Sequence, residues 1–183
     1  MPIDNSDLEK LLMQCTASNK HPELLNEAPM PLLYSVNKPE LEPVIGSAQA
    51  AGMDLRCNLN LRKDQPFLVL RPNENITFGT GIRVVIPEGW VGLVMPRSGL
   101  GFKYEVMLAN TTGVIDSDYR GEIVVKLVNR GRQDMVLEQY DRVVQMVVVP
   151  HWYMKHIQKV SPEVITSYGT DRGEGGFGHT GTK

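Results

Sequence analysis

The sequence predicts an all-β fold of the sandwich, jelly-roll or barrel kind. Three observations carry that reading. Eight short runs rich in branched residues follow one another from residue 31 onward, separated by turn residues at about 8–12-residue spacing. Of 20 valines, 15 fall between Val84 and Val149, and valine suits the pleated, half-buried surface of a strand. No long helical pattern alternates with the runs, which disfavours parallel-sheet folds built on crossover helices.

Taken in order, residues 1–30 stand apart from the rest. Ser6-Asp7-Leu8-Glu9 has the capping-box pattern, and Leu11, Leu12 and Cys15 follow at helical spacing, so a short helix is expected from about Ser6 to Ala17. Pro22, Pro29 and Pro31 then break it, which makes 1–30 a short N-terminal helical appendage. The expected β domain covers 31–168. Its strand candidates are Leu32–Asn37, Phe67–Leu70, Ile76–Phe78, Ile82–Ile86, Val91–Met95, Ile123–Asn129, Met135–Leu137 and Val143–Val149. Turn residues such as Pro72-Asn73, Pro87-Glu88-Gly89 and Asn129-Arg130-Gly131 separate them. Residues 169–183 form a flexible C-terminal arm that holds six of the 17 glycines. A segment so rich in glycine does not fold alone; it is a spacer, or it closes over something.

Length, charge and cysteines set further bounds. At about 150 residues per domain, 183 residues make one domain with an appendage. A chain of this size buries about 70% of its unfolded surface and needs no staples. A net charge of −2 argues against general nucleic-acid binding. Two cysteines, Cys15 and Cys57, make no disulfide framework, which points to a reducing, intracellular (cytoplasmic) compartment. The opening residues have no signal-peptide pattern, and no apolar run is long enough to span a membrane. His151 and His156 do not have the spacing of a zinc pair.

Five segments could carry chemistry. Gly173-Glu174-Gly175-Gly176-Phe177-Gly178 fits a dinucleotide fingerprint, yet only five residues follow Gly178, so the required helix is missing. Closely spaced glycines still let backbone N–H groups approach phosphate oxygens, with Arg172 and Lys183 adding charge. Phe177 favours docking over a bare flexible end. Arg97, Ser98 and Gly99, after the Val91–Met95 run, supply a planar cationic fork, a hydroxyl and an open backbone N–H, which suit an oxyanion. Read alone, that segment is equally a strand-to-loop turn. Asp116, Asp118 and Glu122 could hold a hard cation, or one carboxylate could act as a general base; a polar turn is the plain alternative. Gln145 lies among apolar residues and needs partners, structural or bound. Asp54 follows a glycine at the start of a strand-like segment and reads by itself as a turn.

The order of the five is more specific than any one of them. Ala-Gly-Met-Asp-Leu (51–55), Pro-Arg-Ser-Gly-Leu-Gly (96–101), Gly-Val-Ile-Asp-Ser-Asp-Tyr-Arg-Gly-Glu (113–122), Asp-Arg-Val-Val-Gln-Met (141–146) and Arg-Gly-Glu-Gly-Gly-Phe-Gly-His-Thr-Gly (172–181) resemble the five ordered motifs of the trimeric dUTPases. The resemblance covers roughly residues 31–183 and leaves 1–30 without an assigned role. It implies a jelly-roll/β-barrel subunit, a homotrimer with active sites between subunits, and Mg²⁺-assisted hydrolysis of dUTP to dUMP and pyrophosphate.

The resemblance also implies roles position by position. Asp116 matches the aspartate that activates water at the α-phosphorus. Tyr119 matches the tyrosine that packs under the deoxyribose and leaves no room for a 2′-hydroxyl. Asn110 and backbone groups through Gly113 match the hairpin that reads uracil. Arg97, Ser98, Gly99 and Gln145 match phosphate contacts, and Asp54 matches the carboxylate that supports the metal through water. Arg172, Phe177 and Gly178 match the arm that closes over the nucleotide. Related dCTP deaminases use a glutamate where this chain has Lys126, so deamination is the weaker alternative. A regulatory dUTP-sensing protein is another, and it does not exclude the hydrolase.

Overall fold

The computed structural model describes residues 31–176. They divide into two compact units, 31–152 and 153–176. In the first, β1 (Leu33–Val36) leads through a 3-10 turn (Pro39–Leu41) to β2 (Val44–Ile45) and β3 (Gly52–Arg56). Then come β4 (Phe67–Leu70), β5 (Asn75–Gly79), β6 (Ile82–Val85) and β7 (Trp90–Pro96). A short helix, α1 (Ser98–Tyr104), precedes β8 (Val106–Leu108) and β9 (Gly113–Ile115). The unit closes with β10 (Val124–Asn129), β11 (Met135–Glu138) and β12 (Arg142–Pro150).

All paired strands are antiparallel. A five-stranded sheet has the order β2-β3-β12-β7-β9, a three-stranded sheet β5-β10-β8, and two ribbons pair β1 with β6 and β11 with β4. This is the all-β, jelly-roll type of architecture that the sequence predicts. All eight predicted runs form strands, with ends agreeing within one residue. Four strands lie outside those eight runs: β2, β3, β8 and β9, each of five residues or fewer. Segment 97–104 is a helix rather than the turn it also resembled. The predicted helix Ser6–Ala17 lies outside the described residues.

The core follows from the period-2 alternation of the strands. Leu55, Ile82, Leu108, Leu127, Leu137 and Met146 are among its wholly buried members. Cys57 belongs to the same cluster, and its Sγ donates to the Glu138 carbonyl at 3.2 Å. Burial pushes this thiol up to about 12, with the Asp141 carboxylate adding to the effect, so it packs as a small apolar residue. Asn129 is the one wholly buried amide among the described residues.

The second unit has a 3-10 turn (Met154–His156), a helix α2 (Pro162–Ser167) and a turn at 171–174. Pro162 opens α2, where its missing N–H would have had no intrahelical acceptor. Arg172 Nε donates to the Gly175 carbonyl at 2.7 Å, folding the start of the glycine-rich stretch on itself. Phe177 and Gly178 lie outside the described residues.

Candidate active site

The centre of the five-stranded sheet brings three of the motifs together. Gln145 on β12 stands opposite Asp54 on β3 and Met95 on β7. Directly opposed residues of antiparallel strands share a face, so Asp54 and Gln145 stand side by side on the face away from Val94, Val144 and Met146, which are buried. Arg97 follows β7 directly. Its Nε lies 3.0 Å from Asp54 Oδ2, and its backbone N–H donates to the Val143 carbonyl at 3.1 Å. Gln145 Nε2 donates to the Pro96 carbonyl at 3.3 Å, which ties its amide to the residue before Arg97.

A second arginine belongs to this cluster. Arg142 Nη1 lies 3.3 Å from the same Asp54 oxygen, and the Arg142 carbonyl accepts from Arg97 Nη1 at 3.2 Å. Strand parity alone would point Arg142 toward the core with Val144 and Met146. The register shifts between Arg142 and Val144, a β-bulge at Val143. Val143 and Val144 are consequently both buried, and Arg142 moves to the face that holds Asp54. Arg142 lies in the fourth sequence motif, but its place in this cluster depends on a bulge that strand alternation does not reveal. Asp54 is mostly buried, with its side chain 17% exposed, against 36% and 38% for the two arginines. One carboxylate between two guanidinium groups leaves a net positive charge with unused donors, a fit for an oxyanion.

Ser98 and Gly99 are exposed in the first turn of α1, where backbone N–H groups have no intrahelical acceptor. No residue of α1 is fully buried, and Leu100 and Tyr104 anchor it on the core.

The remaining candidates follow β8. Asn110 sits exposed in the turn between β8 and β9, where Thr111 takes a left-handed conformation (φ 61°). Gly113 pairs with Val94, and a Cβ there would come within 3.3 Å of the Val94 Cβ. Asp116 follows β9 with its side chain exposed, and its carbonyl accepts from Tyr119 N–H at 3.1 Å. Tyr119 is 43% exposed, and its hydroxyl donates to the Glu122 carbonyl at 2.9 Å. The cation grouping of Asp116, Asp118 and Glu122 does not form. Glu122 Oε1 instead accepts from Gly81 N–H, and among the described residues no three ligating side chains converge. Lys126 is exposed on β10, opposite Thr77.

One chain keeps the two groups of candidates apart. Ile115 pairs with Gly92, so Asp116 follows one end of the β7 pairing, while Arg97 follows Pro96 at the other. The four strand steps from Gly92 to Pro96 alone span about 13 Å.

An antiparallel all-β fold with a phosphate-suited arginine pair at one end of β7 and an exposed carboxylate loop at the other defines a class of β protein able to take an oxyanion. The comparisons make this more specific. The dUTPase family model matches residues 42–181. The deoxyuridine 5′-triphosphate nucleotidohydrolase of Escherichia phage T5 is 47% identical over 145 residues, covering 79% of this chain and 95% of the relative. That of Rhizobium meliloti is 44% identical over 141 residues, covering 77% and 83%. Among solved structures, the dUTPase of Staphylococcus bacteriophage 80alpha with dUpNHpp aligns with a TM-score of 0.64 at 24% identity, over 82% of this chain and 98% of that one. The dUTPase of phage phi11 of S. aureus, described with a structural Mg(II) ion, aligns at 0.60 and 23% identity, over 73% and 99%. This chain belongs to the dUTPase family.

Proposed function

We propose that this dUTP diphosphatase hydrolyses dUTP to dUMP and pyrophosphate by in-line attack of a water that Asp116 activates. The observation that carries the reading is the row in which Asp54 bridges Arg97 and Arg142 beside Gln145. Arg97, Ser98, Gly99 and Gln145 bind the triphosphate. Asn110 and the backbone through Gly113 read the uracil edge, and a tight wall there excludes a methyl group. Tyr119 packs under the deoxyribose. Arg172, Phe177 and Gly178 belong to the arm that covers the bound nucleotide, on the strength of the motif resemblance.

In the reaction, water oxygen bonds to the α-phosphorus as the bond to the bridging α–β oxygen breaks. Pyrophosphate leaves, and the proton of the water passes to Asp116. Water is a weak nucleophile beside a polyanion, so the arginines must offset the phosphate charge before the carboxylate can act.

Magnesium fits this site in one way. Mg²⁺ keeps several waters and takes one or two carboxylates plus substrate phosphates. Asp54 is the carboxylate in the phosphate row and would hold the ion through water. When bound, the ion neutralises phosphate charge and orients the triphosphate.

The separation of Asp116 from Arg97 supports sites shared between subunits of a homotrimer. The domain division that goes with this reading is an appendage at 1–30, a jelly-roll domain at 31–168 and an arm at 169–183.

Asp116→Asn tests the assignment. The variant should bind the non-hydrolysable analogue dUpNHpp normally while its kcat falls about 10²–10⁴-fold. A kcat near wild type in a pyrophosphate-release assay would remove Asp116 as the base.

A further inference from the structure

We propose that the Tyr119 hydroxyl is an internal tether rather than a substrate ligand, and that Glu122, anchored on the Gly79–Gly81 turn, is the positioning residue that sets discrimination against ribonucleotides. The proposal rests on the reading that places the Tyr119 ring under the sugar.

The geometry starts at the turn between β5 and β6. Gly81 is left-handed (φ 70°), and its N–H donates to Glu122 Oε1 at 2.8 Å. A Cβ on Gly79 would lie 2.0 Å from the same oxygen, so only glycine leaves room for the carboxylate. The neighbouring residues lock the strand that follows. Thr80 N–H and Oγ1 both donate to the Ile123 carbonyl, at 3.0 and 2.9 Å, and Ile123 N–H donates to the Ile82 carbonyl at 2.9 Å. The base of the Asp116–Glu122 loop is therefore fastened to one rigid turn.

The tyrosine hangs on that base. Its hydroxyl donates to the Glu122 carbonyl at 2.9 Å, with the ring folded over Gly121, where a Cβ would lie 2.2 Å from the hydroxyl oxygen. A phenol has a single donor hydrogen, and here it is spent within the loop. The loop is stiffened from outside as well. Arg120 Nη1 donates to the Ser117 and Tyr119 carbonyls at 2.7 and 2.9 Å, and Arg83 Nη1 donates to the Arg120 carbonyl at 2.9 Å.

A ring that cannot donate to the sugar selects by where it stands. Rejecting an added hydroxyl by shape alone is ordinarily weak because a loose wall yields. A wall fixed at both its hydroxyl and its backbone does not yield, so the tether converts a steric contact into discrimination.

The test compares kcat/KM for dUTP and UTP in Tyr119→Phe, Tyr119→Ala, Glu122→Gln, Glu122→Ala and the Tyr119→Phe/Glu122→Ala double variant. The dUTP:UTP ratio should fall about 3- to 10-fold in Tyr119→Phe, the range of one hydrogen bond. Glu122→Ala should lower it similarly, and Glu122→Gln, whose amide oxygen can still accept from Gly81, should retain it. The double variant should be no worse than the poorer single variant, because both break one chain of contacts. General loosening of the fold would depress both substrates alike and leave the ratio in place.

An unchanged ratio in Tyr119→Phe alongside a lowered one in Tyr119→Ala overturns the tether while keeping the ring at the sugar. An unchanged ratio in Tyr119→Ala overturns the placement of the ring itself, and the tether with it. Additive effects of Tyr119→Phe and Glu122→Ala overturn the link to Glu122. Should Glu122→Ala not fold, the comparison of Tyr119→Phe with Tyr119→Ala still decides the tether.

Discussion

Asn129 uses every polar atom of a wholly buried amide. Its Nδ2 donates to the Leu70 and Gln133 carbonyls at 2.9 and 2.8 Å, and its Oδ1 accepts from Gly131 N–H at 2.9 Å. Replacing it by alanine strands the Leu70 carbonyl and the Gly131 N–H in the interior and takes a partner from the half-buried Gln133 carbonyl. Asn129→Ala should cost about 2–4 kcal/mol, read from the urea midpoint at one fixed protein concentration. A shift within about 0.5 kcal/mol, the range of an ordinary surface change, would mean that water replaces the amide. From sequence this residue reads as the end of a strand and the first of a turn, because nothing local marks its burial or the bond to Leu70, 59 positions away. Arg142 was hidden for a related reason. Its face depends on one bulged valine, and strict alternation assigns it to the core. Asp54, Arg97, Asp116 and Tyr119 stand out as candidates because they sit in ordered motifs, whereas the bonds of Glu122 and Arg120 are set by the folded loop and leave no mark in the sequence.

Among the elements, the long valine-rich strands were legible from composition and alternation, since burial on one or both faces selects branched residues. The four strands outside the eight runs are short and take their place from neighbours, and only β3 shows as a strand-like segment, around Asp54. β9, for example, has only Gly113, Val114 and Ile115 and is held by pairing with β7. Helix α1 was missed because its sequence opposes a helix. Gly99 and Gly101 are poor helix formers, only Leu100 and Tyr104 pack against the core, and no side chain caps its N-terminus. Its C-cap adds strain, since Glu105 sits in the left-handed region (φ 52°), where glycine is the usual residue. That conformation costs an L-residue roughly 1–2 kcal/mol, and glycine returns about 0.5–1 kcal/mol of this as lost chain entropy. Glu105→Gly should therefore raise stability by about 0.5–1 kcal/mol in the same urea measurement. A lower midpoint would show that the glutamate side chain contributes more than its backbone costs.

For the whole molecule, the separation of Asp116 from the arginine row along β7 gives the proposed trimer a decisive test. Arg97→Ala and Asp116→Asn are each expected to be inactive. Unfolding them together and refolding them as mixed trimers should restore about a quarter of wild-type activity, since each shared site draws one residue from each of two neighbours by symmetry. Mixed trimers that stay silent, although each variant assembles alone, would place both residues in the same chain's site. The expectation of a trimer rests on motif resemblance alone. Pairing between subunits leaves no period or spacing in a single chain to read.

The same separation has a consequence for the life of the protein. In the proposed assembly, a newly made polypeptide carries two incomplete half-sites and no whole one. Catalysis then begins at the encounter of finished chains, and the rate at which a cell gains this activity rises more steeply than the rate at which it makes the protein.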